Sequence, residues 1–201
     1  MKISRKYPTF DENVERELLS KSWMALREPK NVWSSILLSL PFMFLAGWVT
    51  FTIVNLFSPL TLKEFGISDN GVEITFNLFY VVVLWLLVVI HEILHLVFIP
   101  NFLRSKKTYI GLSWFGGFVI TEEHMSKIRF IIISIAPYIF LSILLPLVLG
   151  WLGLLSTTIK ILVLLNSLAS SVDMLVLFLI LLQVPNNAVL VNCGPRTYWK
   201  L

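Results

Sequence analysis

A chain of 201 residues that is 57% hydrophobic and only 14% charged, with a mean hydropathy of +0.83, falls well below the roughly 25% charged residues of soluble domains. That balance argues against a water-soluble enzyme. The net charge of +4 reads as a membrane-topology signal and not as a footprint for nucleic acid. The expected class is an all-α integral membrane protein with four transmembrane helices and a short β-hairpin between the second and third.

Residues 1–30 form the expected cytoplasmic N-terminal segment. Within it, DENVERELLSKSWMALRE (11–28) predicts an amphipathic helix with Val14, Leu18 and Ala25 on one side. It either lies on the inner membrane surface, with Trp23 and Trp33 at headgroup level, or is a solvated helix. Residues 31–184 contain four apolar blocks, Asn31–Phe57, Ile74–Pro100, Ile128–Leu149 and Ile159–Val184. Each exceeds the roughly 20 residues that cross a bilayer as a helix, the form that satisfies every backbone group in lipid. The first block follows a long mixed-charge segment and lacks an Ala-x-Ala-like exit, so it is not a cleavable signal.

Residues 58–73 predict an external loop broken by Pro59, Gly66 and Gly71. The segment KKTYIGLSWFGGFVIT (Lys106–Thr121) mixes β-branched and aromatic residues with glycine, which suits a hairpin. Its turn is expected over Trp114–Gly117, and Gly116 and Gly117 would let another backbone approach closely. An ordinary connector is the plainer alternative. His124, set among Glu122, Glu123 and Lys127, reads as a solvated surface residue. Residues 185–201 are the expected cytoplasmic tail, where the single Cys193 implies no disulfide.

Basic residues alternate along the chain. Lys2, Arg5, Lys6, Arg16, Lys21, Arg27 and Lys30 precede the first block, and only Lys63 follows it. Arg104, Lys106, Lys107 and Lys127 lie between the second and third blocks, none lies in Trp151–Thr158, and Arg196 and Lys200 lie in the tail. By the positive-inside rule, both termini and the Asn101–Lys127 loop face the cytoplasm of a multi-pass cell-membrane protein.

Inside the second block, VVIHEILHLVFIP (Val88–Pro100) carries His91, Glu92 and His95. Ionisable groups there are costly and point to function. The i, i+4 spacing puts both imidazoles on one helix face, where they can bind one metal. Zinc (Zn2+) suits two imidazoles and a carboxylate and leaves a position for water, with Glu92 placed to take a proton from it. A third ligand is expected at Asp173, the one acidic residue of the fourth block. His91 lies nine residues before Pro100 and Asp173 eleven before Val184, about 13 and 16 Å at the helical rise, so both sit at similar depth. Asn166, on a nearby face, could orient a ligand or bind a substrate carbonyl. A helix–helix hydrogen bond is the alternative for Asn166 and, less favoured, for Asp173.

With HEILH (His91–His95), GLSWFGGFVIT (Gly111–Thr121), SIAPY (Ser134–Tyr138) and NSLASSVD (Asn166–Asp173), the chain resembles the site-2 protease clan of intramembrane zinc metalloproteases, and more closely a compact bacterial family of zincin-type peptidases. The resemblance implies zinc held by His91, His95 and Asp173, with Glu92 as the catalytic base. It also implies that the hairpin, through Gly116 and Gly117, binds an extended substrate by strand addition. The chain departs from the clan in carrying Val172-Asp173-Met174 where Asp-Gly is familiar, and in lacking a glycine before the proline of SIAP. The expected activity is hydrolysis of peptide bonds in a membrane-anchored or transmembrane protein substrate. Expected partners are that substrate and the lipid bilayer, with no nucleic acid and no oligomeric state specified. A proteolytically inactive zinc-binding regulator and a small transporter are the alternatives.

Overall fold

A computed structural model describes residues 2–3, 10–68, 71–72, 77–113 and 116–201. After strand β1 (Lys2–Ile3), helix α1 (Glu12–Ser20) starts at Asp11, whose carboxylate accepts from the Asn13 and Val14 N–H groups, a side-chain N-cap. The helix stops well short of residue 28. Lys21 and Trp23 both donate back to the Leu18 carbonyl, and Ser22 adopts φ 64° between them, which turns the chain into β2 (Met24–Ala25). Leu18, Phe10 and Trp23 pack on Val191, Cys193 and Tyr198. Leu18 thus anchors α1 on protein, which neither expected placement foresaw, while Val14 and Ala25 of the expected apolar side stay exposed.

Helix α2 (Val32–Phe57) opens with a reciprocal Asn31–Ser34 capping box. A 3-10 turn (Leu62–Phe65) and a ribbon of β3 (Ile67–Ser68) and β4 (Gly71–Val72) lead to α3 (Leu78–Val97). Strands β5 (Thr108–Ser113), β6 (Gly116–Thr121) and β7 (Met125–Ser126) follow. The third span combines α4 (Lys127–Pro137), a π-helical stretch (Tyr138–Leu144) and α5 (Leu145–Trp151). The fourth combines α6 (Thr157–Ala169) and α7 (Ser171–Gln183), joined at Ser170. Strands β8 (Val189–Cys193) and β9 (Arg196–Lys200) complete the described chain. Four helical runs, Val32–Phe57, Leu78–Val97, Lys127–Trp151 and Thr157–Gln183, are long and apolar enough to cross a membrane. They lie close to the four expected blocks.

The all-α expectation with a single hairpin needs correction. The hairpin is present, with β5 and β6 paired antiparallel, but β1 adds to it in parallel to give the order β1-β5-β6. Gly116 and Gly117 already pair with Ser113 and Leu112, so they belong to the strand, and the remaining turn residues Trp114 and Phe115 lie outside the described residues. A second, antiparallel sheet has the order β2-β9-β8-β7. The expected tail is therefore largely a β8–β9 hairpin, turning at Gly194 with φ 57°.

This second sheet gathers segments from before the first span, between the second and third, and after the fourth, so all three lie at one end of the bundle. Beneath it, Leu26, Ile180, Val184, Ala188 and Leu190 form a core with Phe130, Val176, Leu179 and Trp199. Two basic residues close helix ends there. Lys127, counted from the sequence among the basic residues of the Asn101–Lys127 loop, is buried and donates to the Val184 carbonyl at 2.5 Å and to Asn186 Oδ1 at 3.3 Å. Arg129 donates to the Phe98 carbonyl at 3.2 Å. At the opposite end, Glu64 accepts from Lys160 Nζ at 2.6 Å and from Thr157 Oγ1 at 2.9 Å. The Lys160 bond holds the Glu64 carboxyl below the usual carboxylate range.

Candidate metal centre

The i, i+4 step on α3 sets His91 and His95 with ring centroids 5.0 Å apart. Asp173 approaches them from the first turn of α7. Its Oδ2 lies 3.3 Å from His91 Nε2 and 3.5 Å from His95 Nε2, and one ligand atom from each residue falls within 4.8 Å of the others. The edge of a tetrahedron around zinc, at ligand distances of ~2.0–2.2 Å, is about 3.4 Å. The residues therefore fit a zinc ion in donor type and in spacing. Both imidazole side chains are close to nine-tenths buried, and Asp173 retains 28% of its side-chain exposure.

The remaining ring nitrogens are held from behind. His91 Nδ1 lies 2.9 Å from Asn166 Oδ1, and His95 Nδ1 lies 2.7 Å from the Ile133 carbonyl. Carbonyl acceptors at Nδ1 put the ring proton there and leave the Nε2 lone pairs facing Asp173, the arrangement that a histidine metal ligand requires. The Ile133 carbonyl is open to this bond for a covalent reason. Its helical partner would be the N–H of Pro137, which proline lacks. Asn166 is in turn fixed at its other end, donating from Nδ2 to the Pro137 carbonyl at 3.2 Å and to Ser142 Oγ at 2.8 Å. Ser142 donates onward to the Val163 carbonyl at 3.0 Å. The SIAPY proline and the π-helical stretch after it thus hold both imidazoles, through two routes. Neither Ile133 nor Ser142 was among the sequence candidates. The only available sign was a proline inside an apolar span.

Glu92, beside His91, makes no side-chain hydrogen bond among the described residues, and its carboxylate lies against the α-carbon of Gly117. A β-carbon at position 117 would stand 2.4 Å from Glu92 Cγ and 2.8 Å from its Oε1. Gly117 is therefore a place of close approach, but the approaching group is the side chain of the motif glutamate and not the backbone that the sequence led one to expect. Two cavities meet at His95 and Asp173. The larger, about 610 Å³, contains His91, Glu92, Gly116, Gly117, Asn166 and an apolar wall from α2, α3 and α6. The smaller, about 190 Å³, runs under the four-stranded sheet and is bordered by Thr121, Ser134, Asn192, Thr197 and Glu28. Strand β6 walls both, since Val119 and Ile120 face each of them.

Residues 84–189, just over half of the chain, match the family described as "Putative zincin peptidase". The protein belongs to that family. No curated protein and no solved structure matches the chain. The part shared with the zincin-peptidase family includes the His91-Glu92-His95 motif, the hairpin, the π-helical stretch, Asn166 and Asp173. Glu28 and β9, which border the smaller cavity, lie outside it.

Proposed function

We propose that the protein is a site-2 protease-like intramembrane zinc metalloprotease, hydrolysing peptide bonds of membrane-anchored or transmembrane proteins. The observation that carries this reading is the convergence of His91, His95 and Asp173 from two membrane-length helices onto one point, with Glu92 beside it. His91, His95 and Asp173 would hold the zinc, and Glu92 is the general base. When bound, zinc supplies Lewis-acid chemistry, acidifying water and polarising a carbonyl.

The protein's own groups do the rest. Asn166 and the Ile133 carbonyl hold the Nδ1 side of each ring and aim its Nε2 at Asp173, so Asn166 serves to orient a ligand, with Gly116 and Gly117 on the substrate side. Glu92 takes a proton from the attacking water and returns it to the leaving amine. Among the described residues strand β6 ends its sheet and passes the site, and a substrate helix that unwinds there can be held in extended form alongside it. The apolar outer surface of the helices suits a lipid surround, and the sheet-bearing end, rich in Lys and Arg, belongs on the cytoplasmic side.

The test uses the full chain purified in lipid nanodiscs. It should contain close to one zinc per chain, and Glu92→Gln should retain the metal while losing cleavage of a membrane-anchored reporter. Undiminished cleavage by that variant ends the proteolytic reading. If Glu92→Gln instead restores function to cells lacking the protein, a zinc-binding regulator without peptidase activity is the better description.

A further inference from the structure

The smaller cavity has a feature that hydrolysis itself does not use. Glu28 sits at its wall, at the sheet-bearing end of the bundle, and is mostly buried. One carboxylate oxygen accepts the Thr197 N–H at 2.7 Å, beside the Leu26 N–H to Thr197 carbonyl bond at 2.8 Å. Those bonds lock β2 to β9, and the Thr197 side chain gives the same carboxylate a further hydrogen bond. Arg196, a neighbouring cation, is directed at Glu15, 3.1 Å away. Burying a carboxylate is expensive, and burial pushes the Glu28 carboxyl up to about 7 despite the Thr197 hydrogen bonds and the nearby Arg196. A glutamine would make the Thr197 bond without that cost, so the charge itself calls for an explanation.

The position of the cavity supplies one. Strand β6 runs from Gly116 and Gly117 in the apolar cleft, past His95 and Asp173, to Thr121 in the smaller cavity. A peptide following β6 would keep its apolar part in the cleft and send a side chain from beyond the scissile bond toward Glu28. Apolar segments of membrane proteins carry Lys and Arg just past their cytoplasmic ends, and a cation entering this cavity would meet the Glu28 carboxylate in a charge-assisted bond. We propose that Glu28 is a specificity residue of this site, selecting substrates in which a lysine or arginine follows the cleaved apolar segment on the sheet side. The inference rests on the peptidase reading given above.

The experiment uses the full zinc-loaded chain in nanodiscs and membrane-anchored reporters that differ only by Lys or Glu at each successive position beyond the apolar segment. At one position, wild type should cleave the Lys reporter at least tenfold faster than the Glu reporter, and Glu28→Lys should invert that order. A purely structural role for Glu28 would slow both reporters alike. Binding of the same reporters to Glu92→Gln protein, followed by fluorescence anisotropy, should show a parallel preference that disappears when Glu28→Gln is added. Cleavage with an identical Lys-to-Glu ratio in wild type and Glu28→Lys overturns the role of Glu28 and leaves the peptidase reading intact. A Glu28-dependent binding preference with no cleavage of any reporter does the reverse.

Discussion

Gly117 and Glu92 occupy each other's space: a single β-carbon on residue 117 would come within 2.4 Å of the glutamate Cγ. The hairpin and the motif helix can meet there only because residue 117 has no side chain. Gly117→Ala should therefore displace Glu92 while leaving the metal ligands in place. The expected outcome is a loss of reporter cleavage on the order of 10²-fold, the scale of a 1 Å misplacement, with zinc content unchanged. Normal turnover in that variant would show that the hairpin does not position the base.

Pro137→Ala probes the bond between His95 and Ile133. Alanine brings back an N–H that competes for the Ile133 carbonyl, which now accepts from His95 Nδ1 at 2.7 Å. Zinc affinity, measured by competition with a chelating dye, should fall by about tenfold, at the lower end of what ligand-orienting partners contribute. The helix itself should gain stability, because proline is the poorest interior residue. A variant that binds zinc as tightly as wild type would refute the proposed link.

Asn166→Ala removes the acceptor behind His91 and strands the Pro137 carbonyl and Ser142 Oγ. Zinc affinity should drop by about 10–100-fold, with a stability loss on the order of 1–3 kcal/mol for the unsatisfied groups. Asn166→Asp retains the acceptor and should recover part of the metal affinity but little of the stability. Equal zinc binding by all three proteins would mean that His91 needs no such support.

Glu28 gives a pH dependence whose sign can be worked out. Its ordinary value of 4.5 rises to about 7 in the folded chain through burial. Between those values the folded protein holds more protons than the unfolded chain, so stability falls as pH rises from about 4.5 to about 7 and then levels off. Glu28→Gln lacks this loss. Its Tm should match wild type near pH 4 and exceed it at pH 8, by an amount equivalent to at most about 3 kcal/mol. A Tm difference that does not change with pH would contradict the upward shift of the Glu28 carboxyl by burial.

How much of this was readable beforehand follows from how local each signal is. The four spans are long apolar runs, and HEILH is a contiguous motif. Asp173 was reachable because helix rise converts residue counts into depth. The β5–β6 hairpin announced itself through β-branched residues and glycines. The second sheet did not, because β2 and β7 are two residues long and show no alternation, and their pairing depends on β8 and β9 far along the chain. Lys127 looked like any loop lysine, and only the packed fold shows it buried on the Val184 carbonyl. The support for His95 is a backbone carbonyl, which no residue type encodes, and Glu28 meets Thr197 across 169 positions of sequence.

The β2-β9-β8-β7 sheet has a bearing on how the chain can be threaded at all. Hydrogen bonds join stretches flanking each of the four long apolar helical runs, so an inverted helical pair would have to tear a sheet apart. Neutralising individual loop lysines should therefore leave these three stretches together at one end of the bundle, because main-chain pairing, and not charge alone, keeps them there.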